Sequence, residues 1–223
     1  MCDNNILSLP VSIGEALDKL SILDIKLDNI KDSRRNNVKV EYDMLYENLE
    51  SYVKQCEKYY NMIKKTNTYI WNLMDLLRDG ENINDESYVK LCKDTIISND
   101  VRFRIKNKIN IMTNSLLKEQ KGYKCLKVLI DLTNYTGNIE LLIRPLCYYS
   151  ILYDEIYIKS INQNQINFIN KEFNMTINII NEFNSKDDSK DDSIIYKKIF
   201  YIYDNFDINN NFEITNEEMS KYL

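Results

Sequence analysis

The chain has 223 residues, 44% hydrophobic and 28% charged, with a formal net charge of −5 and a pI near 5.0. That length holds one large domain or two small ones, and the acidic balance argues against a general nucleic-acid binder, which carries a basic footprint to displace counterions. The five cysteines are scattered and never spaced Cys-x-x-Cys, and histidine is absent; together these argue against a disulfide framework and the usual zinc sites, and remove every mechanism that needs imidazole. No run reaches the ~20 apolar residues of a membrane-spanning helix. The N-terminal MCDNNILSLP lacks the basic start and long apolar core of a signal peptide, so a cytoplasmic location is expected. Only four glycines and two prolines are available for sharp turns, which favours long helices.

In chain order, Ser12-Ile13-Gly14-Glu15 fits a capping box, with the Ser12 hydroxyl accepting from the Glu15 amide and the Glu15 carboxylate reaching back. It starts a helix whose stripe is Ile13, Leu17, Leu20, Leu23, Leu27 and Ile30, widened by Ile22 and Ile25. Residues 32–37 make a polar break. A longer helix follows, in which Val38, Tyr42, Leu45, Leu49, Tyr52, Cys56, Tyr59, Ile63, Thr66, Ile70, Leu73 and Leu77 step by threes and fours, the pattern of a coiled-coil seam. Residues 64–68 are its expected kink and Asp79-Gly80 its end. The seam is expected to bind the first helix and later ones; a protein partner or self-association through the helical arm is the other expectation. A short helix from Asn84 or Asp85 to Ile97 comes next. Ser98-Asn99-Asp100 then caps another, with Val101, Ile105, Met112 and Leu116 inward, closing at Gly122. Its Arg102, Arg104, Lys106 and Lys108, followed by Lys118, Lys121, Lys124 and Lys127, read as a solvated helix face, or more sharply as a rim that attracts phosphate groups.

The pattern changes after that. Residues 125–132 are a short apolar run of the kind found in buried parallel strands. A polar loop, 133–138, leads to a helix capped by Asn138 and running to about Leu152, which Pro145 should kink. Residues 155–161 alternate as a second strand. A β-α-β unit of this kind binds ligands beyond the carboxyl end of its first strand, over the helix N-terminus. The candidate ligand-binding residues are therefore Thr133, Asn134, Thr136, Gly137 and Asn138. Residues 162–173 read as a helix, 175–180 as a third strand and 194–206 as another helix. The expected fold is α+β and mostly α. A helical arm or coiled-coil bundle occupies residues 1–122, and a small, incomplete Rossmann-like unit with a short parallel sheet occupies residues 123–223.

Two stretches resemble known families. Ser12-Ile13-Gly14-Glu15, Asp18-Lys19-Leu20, Ile22-Leu23 and Ile25-Lys26 resemble the opening of a small helical domain of unknown function, found in bacteria and large DNA viruses, often beside or fused to glycan-building proteins. That likeness covers roughly residues 9–65 and implies no reaction. Tyr148-Tyr149-Ser150 and Tyr153-Asp154-Glu155-Ile156-Tyr157 resemble the first unit of a GT-B glycosyltransferase of the heptosyltransferase-like family. The family pattern runs strand, Gly-x-Gly-Asp-Asn, helix ending Tyr-Leu-Ser, then Tyr-Asp-x-Val-Tyr. In that register the loop here reads Tyr135-Thr136-Gly137-Asn138, so Tyr135 replaces the first glycine and Asn138 the aspartate that serves as general base. A tyrosine obstructs the close backbone approach that glycine permits, and an amide cannot take the proton. Residues 126–223 also cannot hold both GT-B domains, since a domain usually needs ~100 residues. The resemblance thus implies a truncated relative with no catalytic residues and no cofactor: a non-catalytic interaction or scaffold protein, in a host cytoplasm if viral. The alternative it implies is a glycosyltransferase, or a subunit of one, that binds a sugar nucleotide and uses Asp131 or Glu140 as its base.

One rival site lies near the C-terminal end. Asp207, Asn209, Asn211, Ile214 and Glu218 occupy the first, third, fifth, eighth and twelfth positions of an EF-hand loop, but Phe212 stands where that loop needs glycine. The plainer reading is a polar turn and a helix capped by Thr215 and Glu218, and no metal is assigned.

Overall fold

The computed structural model describes residues 6–80, 83–122, 124–160, 162–173, 176–180, 196–202, 212 and 214–223. Four helices come first: α1 (Ile13–Asn29), α2 (Arg34–Gln55), α3 (Glu57–Arg78) and α4 (Asp85–Met112). Ser12 Oγ caps α1 by accepting from the Glu15 amide at 3.1 Å. Glu15 does not turn back to complete the box; its carboxylate takes Lys106 Nζ of α4 at 2.7 Å. The remaining orphan amides of this helix end are met by the far end of α4. Ile13 N–H donates to Ser115 Oγ at 3.3 Å and Gly14 N–H to Asn110 Oδ1 at 2.7 Å. Only glycine fits at 14, because a Cβ there would lie 2.4 Å from the Lys106 carbonyl oxygen. One turn on, the buried Asp18 carboxylate accepts from Arg102 Nε at 2.8 Å and from Asn67 Nδ2 at 2.8 Å. The Ser-Ile-Gly-Glu and Asp18 positions therefore dock α1 onto α3 and α4.

The long seam divides differently from its expected form. The bend falls at Cys56, whose φ of −115° and ψ of 25° leave the helical region, and not at 64–68. Helical hydrogen bonds continue across it, from Cys56 N–H to the Tyr52 carbonyl and from Tyr60 N–H to the Cys56 carbonyl. Every seam position is buried or half-buried within the chain, against α1 and α4. The two helices expected between 84 and 122 are one 28-residue helix. Ser98 sits inside it, its hydroxyl bonded to the Asp94 carbonyl at 2.7 Å. The helix stops ten residues before Gly122 because Asn114 adopts a φ of 49°. Asn114 N–H then bonds to the Ile111 carbonyl and Ser115 N–H to the Asn110 carbonyl, a Schellman ending with asparagine as its left-handed residue.

The basic residues of α4 do not form a solvated face. At ~3.6 residues per turn, side chains two apart point to opposite sides of a helix. Arg102 and Lys106 meet Asp18 and Glu15 of α1. Arg104 and Lys108 point the other way, to Asp154 and to the Thr176 carbonyl. Arg104, Lys106 and Lys108 are all buried.

The second half is β1 (Lys127–Asp131), α5 (Ile143–Leu152), β2 (Glu155–Lys159), α6 (Gln163–Phe173), β3 (Asn178–Ile180), β4 (Lys198–Tyr201) and α7 (Asn216–Ser220). The four strands are parallel in the order β3-β2-β1-β4, with Val128 opposite both Ile156 and Lys198. The segment expected as a helix over 194–206 thus supplies a strand at its described positions: Phe200 and Ile202 are buried, while Ile199 and Tyr201, which alternate with them, are exposed. Pro145 produces no mid-helix kink. The chain enters α5 through a 3-10 turn, Ile139–Leu142, and Pro145 falls in the first α turn, where a missing N–H costs least. Residues 145–151 are buried all round, as a helix must be when it packs on both sides. One continuous cluster of buried residues runs from Leu17 and Ile63 through Leu146 to Val128 and Ile158. No helix among the described residues is long and apolar enough to cross a membrane.

Candidate functional site

In the order β3-β2-β1-β4 the connections run one way from β1 through β2 to β3 and then return to the other side of β1 for β4. A sheet of this kind has its ligand crevice where the direction reverses, outside the carboxyl ends of the strands. That places the loop 133–138, which follows β1, where the sequence puts it.

The loop is closed by its own residues. Tyr135 is 3% exposed, and its ring lies against Gly137 so tightly that a Cβ at 137 would come within 2.8 Å of it. Gly137 does not have a positive φ; it is glycine because the ring needs the space. Tyr135 Oη donates to the Asn138 carbonyl at 2.8 Å. The backbone of Tyr135 is fixed as well: its N–H bonds to the Leu132 carbonyl at 3.0 Å and its carbonyl accepts Gln165 Nε2 at 2.8 Å. Gln165, buried on α6, also accepts from Ser160 Oγ at 2.8 Å. A Ser160–Gln165–Tyr135 chain therefore ties the ends of β1 and β2 together. Neither Ser160 nor Gln165 carries a motif, and only their burial beside the loop reveals their part.

The candidate residues divide by position. Asn134, Thr136, Gly137 and Asn138 are exposed, and Thr133 is half-buried with its Oγ1 lacking a hydrogen-bond partner. Asn138 Oδ1 accepts from the Glu140 amide at 3.0 Å, so the side chain caps the helix entry as the sequence predicts. Asp131, at the end of β1, accepts from the Thr133 amide at 2.9 Å and from Lys159 Nζ at 3.1 Å. Partial burial would raise its pKa, but the bonds from Thr133 and Lys159 outweigh this and hold the carboxyl below its ordinary value. A carboxylate so stabilised is a weak proton acceptor near neutral pH. Glu140 is exposed at the start of the 3-10 turn.

The EF-hand reading meets two obstacles. Phe212 is fully buried against Tyr149 and Phe200, and its carbonyl accepts from Tyr149 Oη. The Glu218 carboxylate is engaged by the Thr215 amide at 2.8 Å, completing the capping box that starts α7. Asp207, Asn209 and Asn211 lie outside the described residues. No group of three or more acidic or cysteine side chains that could hold a metal occurs among the described residues.

Comparison with protein-family models, curated proteins and solved structures gave no match. The two family resemblances rest on the motif residues alone. What the fold itself defines is a mostly helical α+β protein with a small four-stranded parallel sheet of Rossmann-like order.

Proposed function

We propose that the chain is a non-catalytic interaction or scaffold protein whose Rossmann-like half-unit, derived from a sugar transferase, no longer admits a ligand at the loop after β1. The observation that carries this reading is Tyr135, whose ring covers Gly137 where a phosphate or sugar would approach the backbone. Two features support it. The side chain at 138 is an amide already used as a cap, and Asp131 is committed to Thr133 and Lys159. Exposed apolar side chains supply the surface on which an interaction would act. Leu7, Leu9 and Val11 are more than half exposed, and Leu116 is 97% exposed. The Ile13–Ser115 hydrogen bond brings these two stretches to the same end of the helical bundle. Large exposed apolar groups gathered in one place are characteristic of protein–protein contact sites.

The test is incubation of the purified chain with a panel of sugar nucleotides, with and without glycan acceptors, reading released nucleoside diphosphate. Release is expected to stay at the level of buffer alone. Turnover by the unmodified chain that disappears in Glu140→Gln or Asp131→Asn would overturn the reading in favour of a glycosyltransferase subunit.

A further inference from the structure

A cavity of about 180 Å³ lies between α1 and α3. Ile22 and Ile25 of α1 and Ile70, Trp71 and Met74 of α3 give it apolar walls. That volume is enough for one six-membered ring, since an apolar cavity of roughly 150 Å³ takes up benzene. Trp71 is half-buried, and its ring meets no other ring or cation among the described residues.

Two polar side chains, Asn67 and Arg102, interrupt those walls, and one carboxylate holds both. Asp18, 1% exposed, accepts from Asn67 Nδ2 and from Arg102 Nε, each at 2.8 Å, and from Arg102 Nη2. Both of the 2.8 Å bonds end on Asp18 Oδ1, so the two side chains are neighbours. A carboxylate only accepts, so the amide must present Nδ2 to it and turn Oδ1 away. Asn67 Nδ2 also donates to Ser21 Oγ at 2.8 Å. Asn67 is 5% exposed, yet its Oδ1 receives no donor among the described residues and is not sealed from solvent. Arg102 Nη1 likewise keeps accessible surface and has no partner among them. A nearly buried acceptor is costly when it stays unmet. Here it stands beside a fixed donor in an apolar slot, the pattern of a small-ligand site with a few placed polar groups.

We propose that this cavity binds a planar six-membered heterocycle with an N–H beside a ring carbonyl, the edge of a uracil-type base. The N–H donates to Asn67 Oδ1, the carbonyl accepts from Arg102 Nη1, and the ring lies against Trp71. A hydrocarbon of the same size leaves both polar groups unmet, and a carboxylate brings no donor for Asn67 Oδ1. Arg78, exposed at the rim, is placed to meet a phosphate if the base arrives as a nucleotide. None of residues 133–138 lines this cavity, so the site survives or fails independently of the non-catalytic reading.

Trp71 is the only tryptophan of the chain, so its fluorescence reports occupancy. The full chain is titrated with 1-methyluracil, 1,3-dimethyluracil and uridine 5′-monophosphate, followed by fluorescence and by isothermal calorimetry. Saturable quenching by 1-methyluracil is expected, with 1,3-dimethyluracil, which lacks the N–H, at least about tenfold weaker. Trp71→Ala, read by calorimetry, should weaken 1-methyluracil by about tenfold, as for a base that loses an aromatic platform. Asn67→Leu should bring 1-methyluracil down to the level of 1,3-dimethyluracil. That variant also takes a partner from Asp18, so Trp71→Ala carries the test if Asn67→Leu does not fold. Tighter binding of the monophosphate assigns the site to a nucleotide, and equal or weaker binding assigns it to the free base. Equal affinity for the two methylated uracils, or affinity unchanged in Trp71→Ala, overturns the proposal. So does the absence of both heat and quenching at roughly 10 mM 1-methyluracil.

Discussion

Lys108 shows how much one side chain can cost when its surroundings are fixed elsewhere. Burial pushes its pKa down to about 8 from 10.5. Between those two values the unfolded chain holds a proton that the folded chain does not, so stability rises with pH across that window. Below pH 8 the full penalty remains, on the order of 3 kcal/mol for a shift of this size. Lys108→Met removes the penalty together with one hydrogen bond to Thr176. It should unfold at higher urea than the parent at pH 7, by roughly 1–3 kcal/mol, and the gain should shrink towards nothing by about pH 10. A difference between the two proteins that does not change with pH would show that Lys108 is not held at a lowered pKa. The residue pattern that leads here is readable in the sequence: basic side chains at every second position of a helix cannot share one face. Their acidic partners are not readable, because Asp18, Glu15 and Asp154 come from other elements. Tyr135 is legible as a departure from a glycine pattern. Ser160 and Gln165 are ordinary polar residues until the fold buries them beside it.

At the scale of elements, the sharpest constraint is the crossing of α1 and α4. Gly14→Ala would force the Lys106 carbonyl away from a contact of 2.4 Å, and that carbonyl belongs to a helix backbone that cannot swing aside. The expected cost is about 1–3 kcal/mol, typical of overpacking, read as a lowered midpoint in urea unfolding with an unchanged slope. No change in the midpoint would mean that the two helices do not meet there. Helix α1 is easily read because cap and stripe are both local signals. The bend at Cys56 and the unbroken helix through Ser98 are not, since tertiary packing overrides weak local preferences. β4 is misread for the same reason. Lys197-Lys198-Ile199-Phe200-Tyr201-Ile202 suits either period over so short a run, and only pairing with β1 makes it a strand. The loop after β1 could be placed because strand, polar loop and cap occur in sequence. Its closed state could not, because it depends on where one aromatic ring turns.

At the scale of the whole molecule, the helical and sheet segments are joined by one core. Helix α5 is buried between them, and Tyr59 Oη with Thr176 Oγ1 (2.8 Å) and Ser98 Oγ with Tyr222 Oη (3.1 Å) bond across the boundary near residue 122. The chain should therefore unfold as one cooperative unit, with far-ultraviolet and near-ultraviolet circular dichroism giving coincident transitions in urea. Two separated transitions would indicate that residues 1–122 and 123–223 fold apart. Whether Tyr135 occupies the space a ligand needs is read most directly by titrating the full chain with a uridine diphosphate sugar while following the backbone amide resonances of residues 133–138. No saturable shift is predicted for the unmodified chain, and saturable shifts are predicted for Tyr135→Gly. Saturable shifts in the unmodified chain, as large as those in the variant, would contradict a loop closed by its own tyrosine.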